Sequence, residues 1–288
     1  MTLRHLKIFV AVCETGSATA AGEKLFIAQP SISLAISELE DYYGIILFDR
    51  IAKRLHITDD GKHFLQYAAH IVGLFEDMER EVKNFDVMGV IRIGTSITIG
   101  NYLLPSYITE FKRTHPQMDV KVFIDNSDKI QQYVLSNQID IGLIEGIVHS
   151  SYIIEHKFRD DELVLISANE HPFAQHKNIE PSQLQNENLI LREAGSAGRE
   201  IFESTMIVHG LEISPAWEST STQAIIRAVQ ANLGISVLPY LLVKESLDRK
   251  EIKQFQLNGI RFQRSFCIIY HRNKFLTEST KDFIALCK

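Results

Sequence analysis

The sequence holds no unbroken apolar stretch of membrane-spanning length, and its opening, MTLRHLKIFVAVCETG, interrupts its apolar residues with His5, Lys7 and Glu14. Neither a transmembrane helix nor a secretory leader is expected. Cysteine is scarce: Cys13, Cys267 and Cys287 are odd in number and far apart, which argues against a disulfide framework or a clustered metal site and fits a reducing cytoplasm. Proline is also sparse, with seven in 288 residues and no low-complexity tract, so long disorder is not expected. Positive charge is lacking too. The net charge is −6, and residues 1–60 carry six Lys/Arg against eight Asp/Glu; a nucleic-acid partner therefore has to be argued from arrangement, because bulk phosphate neutralisation is not on offer. Reactive constellations are missing as well: no Ser-centred elbow, no metal-spaced His pair and no phosphate loop stands out, and the eleven histidines are scattered. An enzyme is disfavoured.

What is there begins with helices. Leu3, Leu6, Phe9, Val10 and Cys13 recur at helical spacing and Gly16 ends the run. Ser17 and Thr19 offer cap oxygens to a second short helix carrying Ala20, Ala21 and Leu25, and the tight turn Phe26-Ile27-Ala28 follows. Pro30 opens a third helix with Ile32, Ile36, Leu39 and Tyr43 facing inward and Gln29, Ser31, Ser33 and Ser37 on the other side. Two short helices joined this way make a helix-turn-helix, whose second helix can lie in a major groove. The following segment, Gly44 to Thr58, reads as a hairpin wing in which Arg50, Lys53 and Arg54 concentrate half of the local positive charge, suited to gripping phosphates.

After Thr58, an expected N-cap, a long helical pattern runs to about Phe85. Phe64, Ala68, Ile71, Phe75, Met78 and Val82 alternate four- and three-residue steps, the seam of a coiled coil, and predict a helix that pairs two chains. From Val90 onward short apolar strands alternate with amphipathic helices in two successive sets, an α/β order. The predicted architecture is thus α/β with an all-α N-terminal part: a winged helix-turn-helix over 1–60, a linker and dimerisation helix over 61–88, and a two-lobed sensor over 89–288. Its first lobe is expected at about 89–162 plus 267–288 and its second at about 163–266, an arrangement resembling periplasmic binding proteins, which hold ligand between lobes. Polar strand-to-helix junctions are the candidate effector contacts: Thr95, Ser96 and Thr98; Glu145 and Gly146 at a strand end; Arg192, Gly195, Ser196 and Arg199; and Thr220 with Ser221. Hydroxyls and backbone N–H groups at helix starts attract anions, and glycines allow close backbone approach.

The run Gly16-Ser17-Ala18-Thr19-Ala20-Ala21, Leu25, Gln29-Pro30-Ser31-Ile32-Ser33, Ile36, Leu39-Glu40, Gly44, Leu47-Phe48-Asp49-Arg50, Thr58 and Gly61 closely resembles the signature of LysR-type transcription regulators. Within that family, Thr98 to Pro105, Ile139 to Gly146 and Leu191 to Arg199 resemble the branch controlling sulfite-reductase and cysteine-biosynthesis genes. The resemblance implies double-stranded promoter DNA as partner, contacted through Gln29, Pro30, Ser31, Ser33, Ser37 and the wing residues Arg50, Lys53 and Arg54. It implies a homodimer and, by family habit, a homotetramer, leaves RNA polymerase open as a partner, and points to a small oxyanion such as sulfite as effector, with no cofactor and no membrane. Lobe closure around the anion is the expected signal. The sequence departs from the pattern at Ala28, where the family has Ser or Thr, and at Leu34-Ala35, where it commonly has basic or amidic residues, so neither Leu34 nor Ala35 enters the expected DNA set. A secreted solute-binding protein is the alternative, disfavoured because it needs an export signal and has no use for a helix-turn-helix.

Overall fold

A computed structural model describes residues 1–51, 54–83, 89–176 and 178–288, without the side chains of 50, 51, 54 and 80–83. The chain divides into two compact units, one of residues 1–89 with 135–138, the other of residues 90–134 with 139–288.

In the first unit α1 (Leu3–Thr15) stops at Gly16, whose φ of 65° places it in the left-handed region and lets its N–H bond Val12 O. Ser17 caps α2 (Ala18–Leu25) by accepting from Ala20 N–H, and Phe26, also left-handed, ends it. Gly22 lets the turn close against α2: a Cβ there would meet Ile27 O at 2.6 Å. Helix α3 (Gln29–Tyr43) has proline in its first turn, and its N-cap Ala28 supplies no side-chain oxygen, as its methyl side chain dictates. Strands β1 (Phe48–Ile51) and β2 (Arg54–Ile57) pair antiparallel. Thr58 Oγ1 then accepts from Gly61 N–H at 2.9 Å, starting α4 (Asp59–Lys83) with Asp59 and Asp60 in its first turn, where the helix dipole favours negative charge. The core packs Leu6, Phe9, Val12, Ile32, Ile36, Leu39 and Leu47 against Ala68 and Val72 of α4.

The second unit follows as β3 (Val90–Ser96), α5 (Ile97–Tyr102), α6 (Leu104–Thr114), β4 (Asp119–Asp125), α7 (Ser127–Leu135), β5 (Ile141–Glu145) and β6 (Ile153–Ser167). Next come β7 (Asn178–Ile179), β8 (Ile190–Arg192), α8 (Ala197–Val208), β9 (Trp217–Ser219), α9 (Thr222–Gln230), β10 (Ser236–Pro239), α10 (Tyr240–Asp248), β11 (Lys253–Leu257), β12 (Phe262–His271) and α11 (Glu278–Leu286). The main sheet runs β4-β3-β5-β12-β6-β11-β7, with β10 also on β6, while β8 and β9 pair separately. Strands β3, β4 and β5 are parallel neighbours; β12 returns antiparallel to β5 and β6.

Two lobes arise because β6 and β12 are each shared between separate cores. Phe266 and Ile268 pack with Ile91, Ile93, Leu143, Phe111 and Phe283 in one core. Phe262 and Leu163, further along the same ladder, pack with Leu191, Phe202 and Phe255 in another, and Val164 and Ile166 on the opposite face of β6 cover Ile225 and Val229 of α9. Alternation along a strand sends successive side chains to opposite faces, so β6 can serve two layers at once.

Candidate effector cleft and DNA-facing helix

Where the lobes meet, the ends of β3, β4, β8 and β10 each lead into a helix, and Ser96, Asn126-Ser127, Ser196 and Pro239 at these junctions surround one small cavity. The first N–H groups of a helix have no partner within it, so the starts of α5 and α8 bring donors to the cavity, while α7 spends Asp128 N–H on Gly195 O and Lys129 N–H on Asn126 Oδ1. Neither Ser96 nor Ser196 spends its hydroxyl capping its own helix, and Ser96 Oγ, buried, has no hydrogen-bond partner among the described residues. The floor is Arg264 on β12. Its Nε donates to Asp161 Oδ2 at 2.7 Å and its Nη2 to Thr98 Oγ1 at 3.3 Å, with Glu145 Oε1 3.5 Å away. That last distance is an ion pair without an aligned hydrogen bond, and Oε1 accepts none from the described residues; Oε2 accepts from Ser127 Oγ at 3.2 Å.

Arg192 also lines the cavity, but its guanidinium grips Glu193 through Nε at 2.7 Å and Nη2 at 2.8 Å. Two guanidiniums therefore face three carboxylates, Glu145, Asp161 and Glu193. An anion here would be held by helix-start N–H groups and hydroxyls more than by an unpaired cation. The cavity measures about 20 Å³, space for roughly one water-sized group.

The lobes already touch around it. Asp128 N–H donates to Gly195 O at 3.3 Å, Asn126 Nδ2 to Ala194 O at 3.4 Å, and His149 Nε2 lies 3.0 Å from Glu200 Oε1. Gly146, at φ 88°, abuts α8 so closely that a Cβ would fall 2.7 Å from Ala197 Cβ.

Of the residues expected from sequence, Ser96, Thr98, Glu145, Arg192 and Ser196 share the cavity wall. Gly146 and Gly195 stand at the lobe contacts instead. Thr95 is buried behind the wall with its hydroxyl on Ser96 O, and Ser221 caps α9 by accepting from Ala224 N–H while Thr220 is exposed. Arg199 is turned away from the cavity, bound to Glu203, Glu218 and Arg192 O. Burial works against its charge, but the hydrogen bonds it donates to Glu218 and Glu203 outweigh this and raise its pKa. Arg264, Asn126 and Ser127 were not foreseen. Arg264 had a legible signal: it alternates with Phe262 and Phe266 on the inward face of a strand, where a charge is costly unless paired.

On α3, Gln29, Pro30, Ser31 and Ser37 are exposed and Ser33 is half-buried. Gln29 Nε2 donates to Ser33 Oγ at 2.8 Å, which steadies the amide along the helix. Arg50 and Arg54 fall on the wing strands with their side chains outside the description, and Lys53 lies outside the described residues.

The predicted dimer seam is divided. Ala68 is fully part of the unit's own core, Phe64 packs edge-on to Phe9 at 5.1 Å, and Phe75 lies under Lys7; the first turns of α4 must cover α1 before they can serve a partner. Ile71 and Met78 are 46 % and 50 % exposed. With Met1, Leu6, Tyr43, Phe64, Tyr67 and Ala68, Ile71 borders an apolar groove of about 240 Å³. The side chain of Val82 lies outside the description, as does Phe85.

Residues 3–62 match the family model "Bacterial regulatory helix-turn-helix protein, lysR family", and residues 86–288 match "LysR substrate binding domain". The Escherichia coli (strain K12) regulator YeiE is 35 % identical over 287 residues, covering 100 % of this chain and 97 % of that one. Bacillus subtilis (strain 168) CysL is 33 % identical over 285 residues, covering 98 % and 95 %, which fits the sulfur-related branch. Among solved structures, full-length BenM aligns over 100 % of this chain and 95 % of its own at 26 % identity and a TM-score of 0.60. The regulatory domain of Synechocystis PCC6803 CcmR, in complex with 2-PG, aligns over 69 % and 95 % at 25 % identity and a TM-score of 0.64. These families and relatives are transcription regulators, not enzymes.

Proposed function

The chain belongs to the LysR family of DNA-binding transcription regulators, and from that premise we propose that it reads promoter DNA through α3 and the wing and adjusts that binding to a small anion held between the sensor lobes. One observation carries the effector half of this reading: the starts of α5 and α8 converge on a small cavity in which Ser96 Oγ has no partner among the described residues. Backbone donors at helix starts favour an anion without needing a free cation. Sulfite or a related oxyanion fits the resemblance to the branch that includes CysL. A cavity of about 20 Å³ is too small for such an ion, so binding exchanges the direct lobe contacts at Gly195, Ala194 and Glu200 for contacts through the ligand. The change in lobe spacing is the signal.

The working division is a DNA-binding domain over 1–60, a dimerisation helix over 61–88 and an effector domain over 89–288. The apolar groove bordered by Ile71, with the exposed Met78 further along the helix, suits a second copy of α4. A second self-contact, making a tetramer, fits the exposed Val122, Phe123 and Ile124 of β4. A DNA partner fits a cytoplasmic protein.

Calorimetric titration with sulfite, sulfate, phosphate and small carboxylates tests the effector. Heat from a sulfur oxyanion that is lost in Ser96→Ala supports the cleft, whereas heat from a carboxylate alone removes the sulfur reading. Gel shift on the region upstream of the chain's own gene tests the DNA half: Gln29→Ala should weaken specific binding and leave the calorimetric heat intact.

A further inference from the structure

The outward face of α3 has an unexpected centre. At about 100° per residue, the buried Ile32, Ala35, Ile36 and Leu39 define one arc, and Pro30, Leu34 and Ser37 fall opposite its middle, with Gln29 and Ser33 on one flank and Ser31 on the other. Leu34 is 60 % exposed. It belongs neither to the domain core nor to the apolar groove along α4.

A lone exposed leucine is ordinary; its neighbours make this one informative. Residues 29–37 carry no charge at all, and α3 has no Lys or Arg from end to end. The commonest specific contact, Arg or Lys to guanine O6 and N7, therefore cannot come from this helix. Gln29, held by Ser33 at 2.8 Å, retains its carbonyl and one N–H for adenine. What remains at the centre is apolar, and the major groove displays one apolar group, the thymine C5-methyl.

We propose that Leu34, with the Pro30 ring beside it one turn earlier, is a specificity-determining contact to a thymine C5-methyl, so that this helix is built to read A·T pairs. The inference rests on the reading that α3 enters the major groove. It adds a residue that departs from the family pattern, which commonly has a basic or amidic side chain there.

The test uses the full-length chain and a random duplex library, from which bound sequences are selected at fixed salt. Each thymine of the selected site is then replaced in turn by deoxyuridine, which keeps every hydrogen-bonding group and removes only the methyl. At one thymine of each half-site the wild type should lose about fourfold in affinity, the factor that burying one methyl group is worth. Leu34→Ala should bind the thymine site about as weakly as the wild type binds the deoxyuridine site, and should no longer distinguish the two. No thymine costing more than twofold, or the same methyl dependence in Leu34→Ala, would overturn the assignment. Gln29→Ala separates the two levels: lost site preference there with an unchanged methyl response in Leu34→Ala rejects Leu34 alone. If neither variant changes the selected sequence, α3 is not the reading helix and both conclusions fall.

Discussion

Replacing Arg264 with Met should unfold the sensor far more easily than its distance from any surface would imply. The guanidinium side chain is 2 % exposed, and the two carboxylates around it, Asp161 and Glu145, are 5 % exposed each. Both arginine nitrogens that are engaged lie within 2.7 Å of Asp161, while the contact to Glu145 is looser at 3.5 Å. Methionine fills much of the same volume, so the cavity cost is small. The loss is electrostatic: two buried carboxylates remain without their cation, and removing one member of a buried ion pair costs about 3–5 kcal/mol. For a domain of this size each kcal/mol shifts the midpoint by about 2–4 °C, so Tm should fall by about 6–20 °C. The companion variant Arg264→Met with Asp161→Leu and Glu145→Met removes all three charges, and it should lie within about 2 kcal/mol of wild type, because replacing a whole buried cluster by apolar groups is close to neutral. Differential scanning calorimetry reads both. A single variant melting within about 3 °C of wild type, or a triple variant worse than the single, would refute the reasoning.

At the lobe contact, Gly146→Ala combines a left-handed φ of 88° with a Cβ 2.7 Å from that of Ala197, and should cost about 1–2 kcal/mol from the backbone alone. Adding Ala197→Gly should recover the steric part, so urea unfolding should show coupling; simple additivity within about 0.5 kcal/mol would deny the contact. Asp140 is buried, which raises its pKa, but hydrogen bonding to Arg92 and the charges of Lys274 and Arg92 prevail and lower it. Its stabilisation is thus complete above the ordinary carboxylate range and disappears as pH falls through the lowered value. The deficit of Asp140→Asn against wild type, followed by thermal melts, should be greatest at neutral pH and narrow below about pH 4; a constant deficit would contradict this. Phe26 is 96 % exposed and sits at φ 56°, a conformation that costs a non-glycine residue about 1–2 kcal/mol. Phe26→Gly should therefore raise the denaturant midpoint of the first unit, offset in part by glycine's freedom in the unfolded chain.

The helices and strands were legible where periodicity and punctuation agree. Gly16, Ser17, Pro30 and Thr58 each signal a boundary by local chemistry, and each stands at one. The cavity wall was partly legible for the same reason: Ser96, Thr98 and Ser196 announce themselves as hydroxyls at strand-to-helix junctions. The strand-to-helix rule also nominated Ser221, whose hydroxyl is spent on its own helix, and Arg199, whose charge goes to Glu203 and Glu218. Spacing says that a polar group stands at a junction; it does not say whom the group bonds. Arg264 escaped because its partners, Asp161 and Glu145, are 103 and 119 positions away in the chain, and only the antiparallel return of β12 between β5 and β6 brings them together.

The heptad along α4 shows the same limit at the scale of a surface. Its four-three rhythm runs from Phe64 to Val82 without a break, yet a rhythm specifies only that one stripe is covered, not by what. A helix of 25 residues runs about 38 Å, and its stripe is only partly covered: Ala68 is in the core of its own unit while Ile71 and Met78 are exposed. Near its start α1 takes Phe64 and Ala68, because the small first domain has too little apolar surface of its own to close a core. Further along, no described residue of the same unit covers Ile71 or Met78 to that depth, and their exposure is the cost that a second α4 would relieve. Substituting Asp at Ile71 and Met78 should therefore separate the chains while leaving the domain folded, and Ala68→Asp should unfold it; sedimentation velocity together with circular dichroism distinguishes the two. Dissociation by Ala68→Asp with helix content intact would mean that the rhythm belongs to the dimer from its first turn.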